Sequence, residues 1–491
     1  MRSVTTHRAV ALALTLGLAS GQLTASAAVG DALVDRIIGQ PTGTTRTPNI
    51  NGINASGLNN PAATAFDAAG NLYVSDLINR RVLGYISPFT TDMVADLVIG
   101  QPDFNSNTLN NGGVSASSLA GPLGMTVSPA GDLWVADNDN HRVLEYDRPF
   151  ETDTVADFVI GQPNFVTNAG VEEHPDAGSL YNPHSVAVDA SGNVWVADAG
   201  NNRVLEYDRP LETLDRIADR VLGQPTFFDY GTDQEVVDAI SFLIPTSVAL
   251  DSRGNLWVAD HLDNRVLEFD DPLRFDAVAD RVLGQPNFAS RAINYTGSVD
   301  AAGLLQPRTV ALDANDNVYV ADVSNSRVLL YVSPLATNDR IADRVFGQPD
   351  FNSGLPNNGG QTAQTMYTPA GVAVDAAGNV AVADFNNSRV LLLGTPTPLV
   401  TSAQVKVAKA TRKPKLVVRG LGMVSGSAVV EVNGAPLAAT KYKEVAADGT
   451  AHALVALDAD FDARVPRGVR VRITVFDPQT GSRSAPIPFT R

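Results

Sequence analysis

The sequence predicts an all-β fold: a six-bladed β-propeller closed by an N-terminal strand, followed by a C-terminal β-sandwich. Three observations predict it. The tripeptide Gly-Gln-Pro occurs six times, at 39–41, 100–102, 161–163, 223–225, 284–286 and 347–349. An aspartate closes a strand-like run at Asp76, Asp137, Asp198, Asp260, Asp322 and Asp384, and an arginine follows each five residues later, at Arg81, Arg142, Arg203, Arg265, Arg327 and Arg389. The copies are also out of phase with the chain: the first Gly-Gln-Pro precedes the first unit, and nothing equivalent follows the sixth. Self-similarity at a fixed period, here 61 to 63 residues, marks a repeat architecture.

Each unit reads as four strands. In the third, Ser185–Asp189 and Val194–Asp198 flank a Ser-Gly-Asn turn, Arg203–Tyr207 follows, and the fourth strand runs from Ile217 to Gly223. β-Branched and aromatic residues at short intervals, broken by Gly, Asn, Asp and Pro, are strand chemistry. The turn position is Gly70, Gly131, Gly192, Gly254 and Gly378, with Asp316 in unit five; a positive φ there suits glycine and is tolerated by Asp. The phase shift then matters. Leu33–Pro41 matches Ile341–Pro349, the end of unit five, whereas unit six stops at Leu393 without a fourth strand. The N-terminal strand should therefore complete the last blade, which joins the ends of a ring and removes a long exposed edge.

The segment Asn140-His141-Arg142-Val143-Leu144 resembles the motif that names the NHL-repeat family of propellers, and the resemblance covers about residues 31–395. The other units keep Arg-Val-Leu and replace the His by Arg80, Asn202, Asn264, Ser326 and Ser388. The resemblance implies the ring fold. It leaves function open, because members include protein binders, RNA binders, sensors and a few lyases. Residues 396–401 read as a linker. In 402–491, alternating runs such as Val469–Val475 predict an immunoglobulin-like sandwich similar to the IPT/TIG type.

Residues 1–27 read as a signal peptide: Arg2 and Arg8, an apolar stretch from Ala9 to Gly21, then Ala25-Ser26-Ala27. No later run is long enough to span a membrane. The expected location is therefore secreted: extracellular, periplasmic or at the cell surface. There are no cysteines, so disulfides and thiolate metal sites are excluded. The net charge of −17 is uneven, since residues 401–491 carry +7 and the rest −24. An acidic body argues against a nucleic-acid partner.

A feature present in every blade holds blades together, whereas a reaction centre is normally single. The six Asp–Arg pairs are therefore read as structural, with the Asp expected to accept turn N–H groups and to face the Arg fork. Asn79, Asn140, Asn201, Asn325 and Asn387 sit between them, with Asp263 in unit four. The Phe after most Gly-Gln-Pro copies (Phe104, Phe165, Phe227, Phe288, Phe351) is read as blade packing.

Function is expected on the face bearing the long loops after Gly-Gln-Pro. These carry Glu172, Glu173, His174, Asp176 and Tyr181 in one blade, Phe227, Phe228 and Tyr230 in the next, then Arg291 and Tyr295. Each inner strand begins beside the channel, after a recurrent proline, with Ala62, Leu123, His184, Thr246, Arg308 and Ala370. His184, Thr246 and Arg308 are the candidate ligand-binding residues. The lyases that resemble this fold use several histidines around a metal; only one of the six positions here is His, so neither metal nor cofactor is expected. His141 and His261 are assigned to outer turns. Arg308 either binds a carboxylate or pairs with a neighbouring acid. The leading expectation is a binding or scaffold module for an extracellular protein, peptide or glycan, without catalytic residues. The alternative is a hydrolase or lyase at the channel mouth, which three or more convergent acids, histidines or amides would favour.

Overall fold

In this computed structural model the described residues are 34–394, except 172–173, 232–236, 275–276, 333 and 338–339, and then eight strands between Leu399 and Thr490. The expected signal peptide, residues 396–398 of the linker, and Glu172 and Glu173 lie outside them.

Six four-stranded antiparallel sheets make a propeller. Blade 3 is representative: Pro183–Val188, Val194–Asp198, Arg203–Tyr207 and Arg220–Leu222 pair in that order. The second and third strands match the sequence expectation. The fourth is shorter, because Asp219 bends before it, donating its N–H to Glu206 O while its carboxylate accepts the Asp208 N–H. In blade 6 the outermost strand is Arg36–Ile38, antiparallel to Arg389–Leu393 with Ile37 opposite Leu391. Gln40 donates to Ser388 O and Arg389 to Gly43 O across the same seam.

Hydrophobic cores lie between neighbouring blades. Trp134 and Phe158 of blade 2 meet Val186 and Val194 of blade 3. Ala381, Val390 and Leu392 of blade 6 pack with Leu72, Val74 and Leu83 of blade 1. Burying large side chains on every interface supplies the main driving force, roughly 1.5–3 kcal/mol per fully buried side chain.

The recurrence of Gly-Gln-Pro has a local cause. Gly161 has φ +84°, and a Cβ there would lie 2.5 Å from the Leu180 side chain. The next residue, Gln162, donates to His141 O at 3.1 Å. His141 itself has φ +52°, as do its counterparts Arg80, Asn202, Asn264, Ser326 and Ser388 within a few degrees. The motif histidine is thus a left-handed cap whose backbone is used, which explains why its side chain varies.

After Leu399 two further four-stranded sheets form. One orders Leu399–Val407, Pro414–Val424, Thr450–Leu457 and Ala439–Val445; the other orders Ala435–Pro436, Val429–Val432, Arg470–Phe476 and Ile487–Thr490. Among the described residues no helix is long and apolar enough to cross a membrane.

Candidate functional site

Two rings of residues occupy the loop-bearing face. The outer ring is the repeated turn. In all six blades the arginine Nε lies 2.7–2.9 Å from the aspartate Oδ2, with both side chains fully buried. The midway asparagines add Nδ2 donors to the same oxygen at 2.7–2.8 Å. In blade 4 Asp263 instead lies 3.4 Å from Arg265. The expected geometry needs two corrections. The N–H accepted by Oδ1 comes from the loop entering the inner strand, as Tyr181 N–H to Asp198 at 2.7 Å, and not from the turn. The guanidinium meets its aspartate through Nε alone. The terminal nitrogens of Arg203 go to the carbonyls of Phe227, Asp176 and Ser179. Each arginine therefore ties the turn to the loops on both sides, and the recurrent Phe contributes a carbonyl as well as packing.

Burial pushes the Asp198 carboxyl up, opposed by Arg203, Asn201 and the Tyr181 N–H in that order. A buried carboxylate with three donors is satisfied and has nothing left to offer a ligand.

The inner ring is the channel rim. In each blade the register slips at the residue after the proline, for instance between Pro183 and Ser185, so that His184, Thr246 and Arg308 are bulged residues. A bulge re-aims its side chain, and all three line a central cavity of about 250 Å3. Small neighbours such as Gly124 make the channel narrow: a Cβ there would lie 2.5 Å from His184 O.

Arg308 has no neighbouring acid paired with it among the described residues. Among the described residues its guanidinium has no ion pair or hydrogen bond, and its side-chain neighbour is the Phe385 ring, 5.8 Å to the centroid. The nearby carbonyls accept from other residues and not from the guanidinium, with Thr246 Oγ1 donating to Arg308 O at 2.9 Å and His261 Nδ1 lying 3.1 Å from Pro307 O. Burial pulls the Arg308 guanidinium below its ordinary range. His184 is pushed down to about 3, by burial first and then by Arg308 and His261. His261 is lowered too, chiefly by burial. Arg308 is half-buried, with part of its surface open to the cavity.

His184, Thr246 and Arg308 of blades 3 to 5 line the cavity with Ala62 and Leu123, while His261 lies beside this rim at Pro307 O without lining the cavity itself. His261 was missed by sequence reasoning, which placed it in an outer turn. Its signal is its place directly after the invariant Asp260, where the other blades carry Leu77, Asn138, Ala199, Val323 and Phe385. His141 remains peripheral: it stacks on Tyr181 at 5.2 Å and accepts the Asn182 N–H. Among the described residues no group of three or more His, Asp or Glu is placed to hold a metal.

On the long loops, Phe228 is 71% exposed, and Tyr230 and Tyr295 are exposed as well. His174 and Asp176 are exposed beside them.

A second set of perturbed groups lies away from the mouth. Glu145, Glu206 and Glu268 sit opposite Trp134, Trp195 and Trp257 on adjacent strands. Burial raises them to about 8, 7 and 8 respectively. Glu206 and Glu268 have Arg220 and Arg281 within 3.6 and 2.9 Å. At Glu145 the corresponding residue is Phe158.

The NHL repeat family description matches residues 119–146, 180–207, 304–330 and 366–391, which fall on blades 2, 3, 5 and 6. The chain therefore carries NHL repeats. It is 28% identical over 166 residues to a probable peptidyl-alpha-hydroxyglycine alpha-amidating lyase of Caenorhabditis elegans, covering 33% of this chain and 41% of that one. It is 29% identical over 115 residues to NHL repeat-containing protein 3 of Homo sapiens, covering 23% and 28%. The chain thus spans less than half the length of these relatives. Among solved structures, a streptogramin B lyase aligns with TM-score 0.39 and 12% identity over 69% of this chain and 95% of its own. PorZ of Porphyromonas gingivalis aligns with TM-score 0.40 and 13% identity over 87% and 51%.

Proposed function

We propose that the chain is a secreted binding or scaffold module, which holds an extracellular protein, peptide or glycan on its loop-bearing face around the channel mouth. The observation that carries this reading is the composition of the mouth: a guanidinium and two imidazoles without a carboxylate, facing small residues. That set can hold a ligand, and the residues lining the cavity include no carboxylate to serve as a general base. His184, Thr246 and Arg308 are the proposed contacts, and exposed aromatics such as Phe228 and Tyr295 are the proposed outer anchors. Within this reading the Arg36–Ile38 strand closes the ring, and the C-terminal sheets form an IPT/TIG-like spacer or second contact.

A lyase or hydrolase at the same mouth is the second reading, favoured by the local similarity to an amidating lyase. A glycan and peptide array probed with the protein lacking residues 1–27 separates the two. Retained ligands that emerge chemically unchanged support binding. Turnover of any retained ligand, or no retention at all, overturns it.

A further inference from the structure

We propose that the blade 3–5 side of the channel mouth is a seat for a small organic monocarboxylate, gripped by the free edge of the Arg308 guanidinium. This rests on the reading of the mouth as a binding site and narrows it to a ligand class.

Four features carry the proposal. A guanidinium has five N–H donors and no acceptor, and in a narrow channel each unmet donor costs free energy. The acceptors closest along the chain, Pro307 O and Arg308 O, receive hydrogen bonds from His261 and Thr246 and none from the guanidinium. The guanidinium carbon stands over the Phe385 ring, 5.8 Å from its centroid, a cation–π contact that takes up no N–H donor in a hydrogen bond. A carboxylate matches that edge with two parallel bonds.

Charge and size narrow the class. His184 and His261 stay neutral near pH 7, as their lowered proton affinities require, so Arg308 brings a single positive charge. One carboxylate balances it, whereas a dianion leaves an unpaired charge in the channel. The cavity, about 250 Å3, lies just below the roughly 300–1,000 Å3 of ordinary small-molecule sites. It admits a small acid or one terminal group, not a folded partner.

The test is titration calorimetry with acetate, benzoate and glucuronate at millimolar concentration, with benzamide as the neutral match for benzoate. At least one acid should bind, benzamide should not, and Arg308→Ala should weaken binding at least about tenfold while Arg308→Lys recovers part of it. A thermal melt of each variant shows that it is folded. Equal binding of benzoate and benzamide, full binding by a folded Arg308→Ala, or no binding of any acid overturns the seat. The array result on the loop face is read separately: retention there with no acid binding sinks the seat alone, and acid binding without array retention sinks the wider reading alone.

Discussion

Asp260 and His261 are consecutive residues, yet they belong to regions that follow opposite rules. Asp260 is one of six copies, fully buried and paired with Arg265 at 2.7 Å, and every blade repeats that pair. His261 is unique at its position and leans toward Pro307 and Arg308, where no two of the six rim positions except Ala62 and Ala370 share a residue. In the turn ring every arginine is given an aspartate and carbonyl acceptors. In the rim, Arg308 is given an aromatic ring and no acceptor among the described residues. Among the arginines of this face, the repeated ones are paired with an aspartate, whereas the one at the rim is not. The difference teaches where binding capacity resides in a ring of similar sheets.

The largest way to break this comparison is to open the ring. Deleting residues 28–41 removes the partner strand of Arg389–Leu393 and should abolish cooperative unfolding in a calorimetric scan; an unchanged melting temperature would refute the closure. Next, Arg203→Ala should cost about 3–5 kcal/mol in urea unfolding, because a buried carboxylate loses its cation. Arg308→Ala should do the reverse of Arg203→Ala. Removing a half-buried charge with no ion-pair partner among the described residues should leave the unfolding free energy within about 1 kcal/mol of wild type or raise it, and a loss as large as that of Arg203→Ala would show that the rim is scaffold.

The smallest effect is on pH dependence. Glu145 has its proton affinity raised to about 8 from 4.5, so the folded state binds more protons between those values. Its contribution is fully present below pH 4.5 and is lost as the pH rises through 8. Glu145→Gln should therefore gain stability relative to wild type as the pH goes from 5 to 9, measured by melting temperature at each pH; a constant difference would refute it. His184 works in the other direction. Its value falls to about 3 from 6.5, so its contribution is present above 6.5 and lost toward 3. The mutant comparison separates the two, since wild type alone sums them.

Much of the ring was legible before any coordinates. The strands Val194–Asp198 and Arg203–Tyr207, the Asp–Arg pairs and the positive-φ turn glycines all follow from patterns within a few residues. The misassigned details are those that cross between segments. The N–H donor to Asp198 Oδ1 is expected in the turn from sequence because the loop residue Tyr181, 17 positions earlier, gives no local sign of folding back. His261 was placed outside the mouth because its side-chain direction depends on blade 5, 46 residues away at Pro307.

By itself the sequence determined the number of blades, their strand order and the residues that brace them, because each blade must solve the same packing problem and so repeats the same answer. Only the tertiary structure shows that Arg308 has no acid beside it among the described residues, that His184 lines the same cavity and that His261 reaches Pro307 O next to it. Those contacts join separate blades and are made once, so no periodicity announces them; they exist only when the ring brings distant inner strands to a common axis.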